Sequence, residues 1–329
     1  MKKITLLVLS LLLTVSLFAC QDQSDDTPET TAPETENEMP EANPASDFEY
    51  EVNDDGDIMI TKYIGNEVEV VIPPKIENKT VTAIGESAFK QSKIETVKMP
   101  DTVKGIYRYA FEECQNLKKV KFSENLRTIA IAAFSGCVNL TSADLSADSM
   151  FAIDSRAFYN CSSLKELKLG KNIKELRDFS FQYCSSLENI ELPYNLEKLG
   201  EAAFADCTSL KTVTIPPNVV HFSCTQYASF SNNPILEKIV FQEGREEIKG
   251  YACFQITSNV EIVIPKGVKV VSPYTFFIYG PTKITFLGDC PELIDTDSFT
   301  GNPTIYYDPN TKGWDNCSWK NYHTLEPIK

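Results

Sequence analysis

The hydrophobic positions of this chain hold neither a helical nor a strand period for long; they recur as a block. Phe89, Phe111, Phe134, Phe158, Phe181, Phe204, Phe230, Phe254, Phe276 and Phe299 follow one another at intervals of 22 to 26 residues. The apolar positions between them keep a frame. After Phe111 come Cys114, Leu117, Val120, Phe122, Leu126 and Ile129, and Ala133-Phe134 opens the next block. Phe158 is followed by Cys161, Leu164, Leu167, Leu169, Ile173 and Leu176, and Phe181 by Cys184, Leu187, Ile190, Leu192, Leu196 and Leu199. The alternation Val120-x-Phe122 or Ile190-x-Leu192 is a short strand with two side chains turned inward. Pro73, Pro100, Pro193, Pro216 and Pro265 each follow such a strand and end it, having no donor for a ladder. One block cannot bury its apolar face alone, so the blocks must stack into a solenoid. The stack predicts one long parallel sheet on one face. Each Phe then lies on the far side, in a short helical or 3-10 turn.

A period of about 20–29 residues is that of a leucine-rich-repeat solenoid. About ten repeats fill residues 81–305, with an N-terminal β cap over 48–80 and an aromatic C-terminal cap over 306–329. Asn53-Asp54-Asp55-Gly56-Asp57, flanked by Tyr50, Val52, Ile58 and Ile60, predicts a hairpin in which Gly56 takes a positive φ. A calcium loop is the alternative for this segment, but the later Glu of such a loop is absent.

The frame resembles the treponemal-type leucine-rich repeat of BspA-like bacterial surface proteins. Ile84-Gly85-Glu86-Ser87-Ala88-Phe89 and Leu199-Gly200-Glu201-Ala202-Ala203-Phe204 match the second half of that repeat. The resemblance covers roughly 48–329, and it implies surface binding or adhesion with a partner that differs between members. The blocks at Phe230 and Phe276 drift from the pattern, with Thr225 in place of Ile and Tyr279 in place of Cys or Asn.

The first 47 residues differ in character. Lys2 and Lys3 precede an apolar run from Ile4 to Phe18, and Leu17-Phe18-Ala19-Cys20 closes it. The run is short for a membrane span and reads as a signal peptide over 1–19. The closing segment resembles a bacterial lipobox, which implies diacylglycerol on Cys20 as the mature N-terminus; ordinary secretion with a coincidental Cys is the alternative. Gln21 to Asp47 carries nine acidic side chains, no basic ones and four prolines. With little to bury and charges that repel, 20–47 is expected to be an extended disordered tether. Of the net charge of −15, the signal supplies +2 and the tether −9, leaving −8 on 48–329. That balance argues against nucleic acid, which needs a basic face.

Ten Cys in an exported chain ordinarily predict a disulfide framework. Here Cys114, Cys137, Cys161, Cys184 and Cys207 share one column, which elsewhere holds Ser92, Asn233, Thr257 and Asn302. Exchange with Asn and Thr predicts buried, reduced side chains that satisfy backbone groups in the turn. Parallel Cβ vectors also disfavour bonding along the column. If any pair is bonded it is Cys290 and Cys317, outside the column.

Catalytic constellations are sparse, and no cofactor or metal is expected. The only two His are His221 and His323. His221 with Cys224 could nominate a nucleophile pair or half a zinc site, but no second ligand pair stands at metal spacing. Tyr306, Tyr307, Trp314, Trp319 and Tyr322 could form a carbohydrate platform or seal the last repeat. The remaining candidate is the outward strand column: Val71, Lys98, Lys121, Asp144, Lys168, Glu191, Thr214, Val240, Val263 and Thr285. Lys98, Lys121 and Lys168 would meet an acidic partner, and Val240 and Val263 would give a dry contact. The expectation is a monomeric, lipid-anchored protein on the extracellular face of a bacterial membrane. It would bind an extracellular protein or glycan through this face. The rival is a structural spacer or envelope assembly component without a dedicated ligand.

Overall fold

The computed structural model describes residues 41–329 except 224–226, 250–252, 257–258, 273–274, 279–281, 295–298 and 301–302. The chain opens with an antiparallel hairpin, β1 (Phe48–Val52) and β2 (Ile58–Tyr63). Its turn is the expected one: Gly56 has φ +83°, and the Asn53 side-chain oxygen accepts the amides of Asp55 and Asp57 at 3.1 and 2.9 Å. Phe48, Ile58 and Ile60 point into the core. β2 then pairs in parallel with Lys79–Ile84, and from there the chain coils in about ten parallel rungs. The expected tether extends to Asp47, but bonding to the first rung begins earlier. The Asn43 side-chain oxygen accepts the Val71 amide at 2.8 Å and the Asn43 backbone N–H donates to the Val71 carbonyl at 2.9 Å, occupying edge groups of the strand Glu69–Val71.

The single long sheet is corrected to several ladders on three sides of the coil. The expected strands, joined by Thr304–Tyr307 and by Thr324–Pro327 from the stretch expected as a cap, form a front face of three parallel segments. A second parallel sheet runs through Gly105–Ile106, Thr128–Ile129, Ala152–Ile153, Glu175–Leu176, Lys198–Leu199 and His221–Phe222. Each of these strands is two residues long, too short for alternation to reveal. Its inward residues, Ile106, Ile129, Ile153, Leu176 and Leu199, are buried.

The third side carries the Phe column, and here the helical turns are corrected. Among the described residues the 3-10 helices lie only at the ends, at Ala45–Asp47, Trp314–Asn316 and Ser318–Asn321. The Phe segments are successive turns with left-handed residues on both flanks, such as Ser87 and Gln91 around Phe89, or Phe179 and Tyr183 around Phe181. The reason lies in where the amides go. Phe89, Phe111, Phe134 and Phe158 donate to Ala110, Ala133, Ala157 and Ser180 of the next rung at 2.7–2.8 Å. A one-turn helix would leave those groups unpaired. At Cys253–Ile256, Phe276–Ile278 and Phe299–Thr300 the same side becomes a third parallel sheet. Aromatic and β-branched runs such as Phe276-Phe277-Ile278 favour a strand there.

The rings stack as the spacing predicts. Phe89, Phe111, Phe134, Phe158, Phe181, Phe204 and Phe230 form a continuous pile with centroids 4.8–5.8 Å apart. Tyr63 of β2 closes its first end at 5.2 Å. Phe276 is buried but meets Phe241 edge-on; the side chains of Phe254 and Phe299 lie outside the described residues. The far end is sealed by buried Trp314 and Trp319, 5.4 and 5.2 Å from Phe286, with Tyr307 stacked on Trp314 at 4.9 Å. Buried indoles offer no platform to a sugar, so these two rings serve the cap.

Candidate functional site

The front face begins from a simple constraint. In each rung the middle strand residue points inward and its two neighbours point out, so parallel pairing turns the outward residues into columns. Val97 and Val213 are buried while Lys98 and Thr214 emerge beside them. The nominated column is in register as expected: Val71 opposite Lys98 opposite Lys121, Asp144 opposite Lys168, and Thr214 opposite Val240 opposite Val263 opposite Thr285.

Its exposure is uneven. Lys121, Asp144, Lys168 and Glu191 are exposed, and Lys98, Thr214 and Val240 are half-buried. Val263 keeps only 8 % of its surface and Thr285 6 %. The dry contact expected at Val263 is therefore corrected. On the neighbouring positions Glu261 bridges Lys238 and Lys283 at 3.0 Å each, Thr285 donates to Glu261 at 3.1 Å, and Lys283 lies over the Tyr306 ring at 4.7 Å. Partial burial would push the Glu261 carboxyl up, but the two ammonium groups outweigh it and hold it below its ordinary range.

The front ladder breaks twice, between Lys119–Lys121 and Ser142–Leu145, and between Glu166–Leu169 and Asn189–Ile190. Each break opens a groove. The first, about 610 Å³, is lined by Lys121, Glu124, Asp144 and Asp148; the second, about 560 Å³, by Lys168, Asn189 and Glu191. Four of the nominated residues thus meet at the two openings. Between them Lys168 pairs with Asp144 at 3.1 Å. The Ser146 hydroxyl, ahead of Lys168, holds the Asp144 carboxyl below the usual range against partial burial. No ion pair is seen for Lys98 or Lys121 among the described residues.

The Cys column behaves as its exchange pattern predicts. The thiols of Cys114, Cys137, Cys161, Cys184 and Cys207 are free and buried, and donate to the carbonyls of Phe89, Phe111, Phe134, Phe158 and Phe181 at 2.9–3.4 Å. Asn233 makes the same bond to Phe204 at 3.0 Å. Burial pushes Cys114 and Cys184 up to about 12 and the other three well above the ordinary thiol range. Thiols held neutral are poor nucleophiles. Burial also lowers His323, while His221 is exposed and Cys224 lies outside the described residues. Among the described residues, no group of three or more His, Cys, Asp or Glu is placed to hold a metal ion.

One column escaped the sequence reading. The Asn125, Asn172, Asn195 and Asn218 amides donate to the carbonyls of Asp101, Asp148, Lys171 and Tyr194, one rung earlier, at 2.8–3.1 Å. The signal was available in Glu124-Asn125-Leu126, Lys171-Asn172-Ile173 and Tyr194-Asn195-Leu196. Lipidation at Cys20 concerns a position outside the described residues. Among the described residues, no helix is long and apolar enough to cross a membrane.

The coil, its parallel rungs and its Phe–Cys turns invite comparison with known proteins. A leucine-rich-repeat protein of T. pallidum is similar over 61 % of this chain and 86 % of its own, at 28 % identity and a TM-score of 0.51. A leucine-rich cell surface protein of Faecalibacterium prausnitzii A2-165 shares the fold over 89 % of this chain and 96 % of its own, at 22 % identity and a TM-score of 0.56. No curated protein matches the sequence. The pattern of the BspA type leucine-rich repeat region matches in six copies, over residues 82–192 and 174–306. Those spans take in the stacked Phe residues and the Cys column together, and the chain belongs to the BspA-type leucine-rich-repeat family.

Proposed function

We propose that this chain is a surface recognition protein that presents its front face to an extracellular protein or glycan, without enzymatic activity of its own. The observation that carries the reading is the pair of grooves at the ladder breaks, where Lys121, Asp144, Lys168 and Glu191 converge on a rigid scaffold. Side chains held on stacked rungs are positioned before the partner arrives, which lowers the ordering cost of binding. Lys98 and Lys121 are the attractive charges of the face, because Lys168 is already matched by Asp144. The F. prausnitzii protein of the same fold is described as a cell surface protein, which fits this placement.

Charge reversal at Lys98, Lys121 and Lys168 together should weaken binding to an identified partner about tenfold or more at low salt, with a smaller loss at physiological salt. Thermal stability should hardly move, since exposed ion pairs contribute little. Equal binding by the triple variant at both salt concentrations would remove the face from consideration. Tolerance of every front-face substitution, with no partner recovered, would favour the spacer role instead.

The reading places residues 1–19 as a signal peptide, Cys20 as the acylated anchor and 20–47 as the tether. Two acyl chains at about 0.8 kcal/mol per buried CH₂ make a stable attachment. Cys20→Ala should move the protein from the membrane fraction to the medium or leave it unprocessed. A processed, membrane-bound Cys20→Ala protein would refute the anchor.

A further inference from the structure

Cys290 and Cys317 sit 27 residues apart in sequence, and their sulfurs are 2.8 Å apart. Several contacts bring them together. The Cys290 amide donates to the Lys312 carbonyl at 2.8 Å, and the Lys312 amide to the Asp289 carboxylate at 2.8 Å. The Trp314 indole donates to the Gly288 carbonyl at 3.2 Å. Gly313, with φ +87°, lets the chain pass close: a Cβ there would stand 3.1 Å from the Cys290 Cβ. Cys317 is buried, as are Trp314 and Trp319 beside it in sequence, while Cys290 lines an open groove with Lys266 and Thr311. The contrast with the column is chemical. Each column thiol faces a backbone carbonyl of the preceding rung, whereas Cys290 and Cys317 face each other.

We propose that Cys290 and Cys317 form a disulfide that fastens the C-terminal cap to the rung beneath it. The Cys317 thiol is lowered to about 7 by the hydrogen bond from Cys290, together with the Trp319 amide and Lys320, while Cys290 is raised. Either thiol, as its thiolate, displaces one thiolate from a small disulfide oxidant such as oxidised glutathione, giving a mixed disulfide. The other thiol then loses its proton and attacks the protein sulfur of that mixed disulfide, displacing the second thiolate. Two thiols lose two protons and two electrons, and the oxidant becomes two thiols. The bond closes the end of a stack in which terminal rungs have a neighbour on one side only and open first.

The test uses the purified full chain equilibrated with oxidised glutathione, then denatured and alkylated without reductant. Mass spectrometry should find one cross-linked peptide joining Cys290 to Cys317, with Cys114, Cys137, Cys161, Cys184 and Cys207 alkylated. Adding a reductant should lower the melting temperature of the wild type and leave a Cys290→Ser/Cys317→Ser variant unmoved. Alkylation of Cys290 and Cys317 separately in the oxidised sample would overturn the proposal. So would cross-linking of either one to a column thiol. The labelling pattern is read on the wild type, so it stands whether or not the double variant folds.

Discussion

Phe158→Ala should cost roughly 5 kcal/mol of unfolding free energy, the largest loss from a single substitution in this chain. Phe158 is fully buried and stacked on both faces, against Phe134 at 5.2 Å and Phe181 at 5.3 Å with the rings within 7° of parallel. Truncating a buried Phe costs about 3–5 kcal/mol, and each lost aromatic pair adds about 0.5–1.5 kcal/mol. The rungs cannot close over the gap, because their backbones are held at hydrogen-bond distance: Phe134 donates to Ala157 and Phe158 to Ser180, both at 2.8 Å. Phe230→Ala should cost less, since only Phe204 stacks on it among the described residues, at 5.8 Å. Phe158→Leu keeps most of the volume and should lose about 1.5 kcal/mol. Urea titrations followed by circular dichroism measure all three. A Phe158→Ala variant within 1 kcal/mol of wild type, by this estimate of cavity costs, would mean that the stack is not a source of stability.

Stability should also fall steeply between pH 9 and 10, and the Cys column is the reason. Burial pushes the folded thiols of Cys114 and Cys184 up to about 12 from an ordinary 9.0, and those of Cys137, Cys161 and Cys207 well above it. Below about pH 8 both states hold nearly all their thiol protons and little is lost. As pH rises through 9 the unfolded chain releases protons that the folded chain keeps, so unfolding is favoured. The limiting slope is about 1.4 kcal/mol per pH unit and group; between about pH 9 and 10 each group contributes about 1 kcal/mol, so five give on the order of 5 kcal/mol. Replacing Cys161 and Cys184 by Asn, which already makes the column bond at Asn233, removes two of the five. The Cys161→Asn/Cys184→Asn protein should lose less melting temperature than wild type over pH 8 to 10, in reductant, the difference between the two slopes being about two-fifths of the column's contribution. Lys and Tyr titrate alike in both proteins, so they cancel. Identical slopes would show that the column thiols ionise without unfolding the rungs.

The amino-acid order by itself determined what each rung buries. The Phe interval set a ring pile, the Cys–Asn exchange set a donor to a turn carbonyl, and Asn53 to Asp57 set the hairpin that lets Tyr63 close the pile. These are legible because every rung repeats the same inward positions, so chance apolar residues drop out of the comparison. The second sheet was not legible: Thr128–Ile129 and Glu175–Leu176 are strands only because an equivalent pair of residues lies above and below. The turns around Phe89 and Phe181 read as helical because alternate amides do bond three residues back, while those of Phe89 and Phe181 themselves find partners in the next rung.

The functional face divides along the same line. Which residues point outward followed from alternation, but the ladder breaks and the grooves shared by Lys121 with Asp144 and by Lys168 with Glu191 show only in the stacked rungs. The burial of Val263, between Val240 and Thr285 of the adjoining strands, shows only in the stacked rungs. The approach of Cys290 to Cys317 came from the cap folding back through Gly313. Inward positions are a property of one rung and are written in its residues. Offsets, breaks and the meeting of distant side chains belong to how rungs stack, and only the assembled coil sets them.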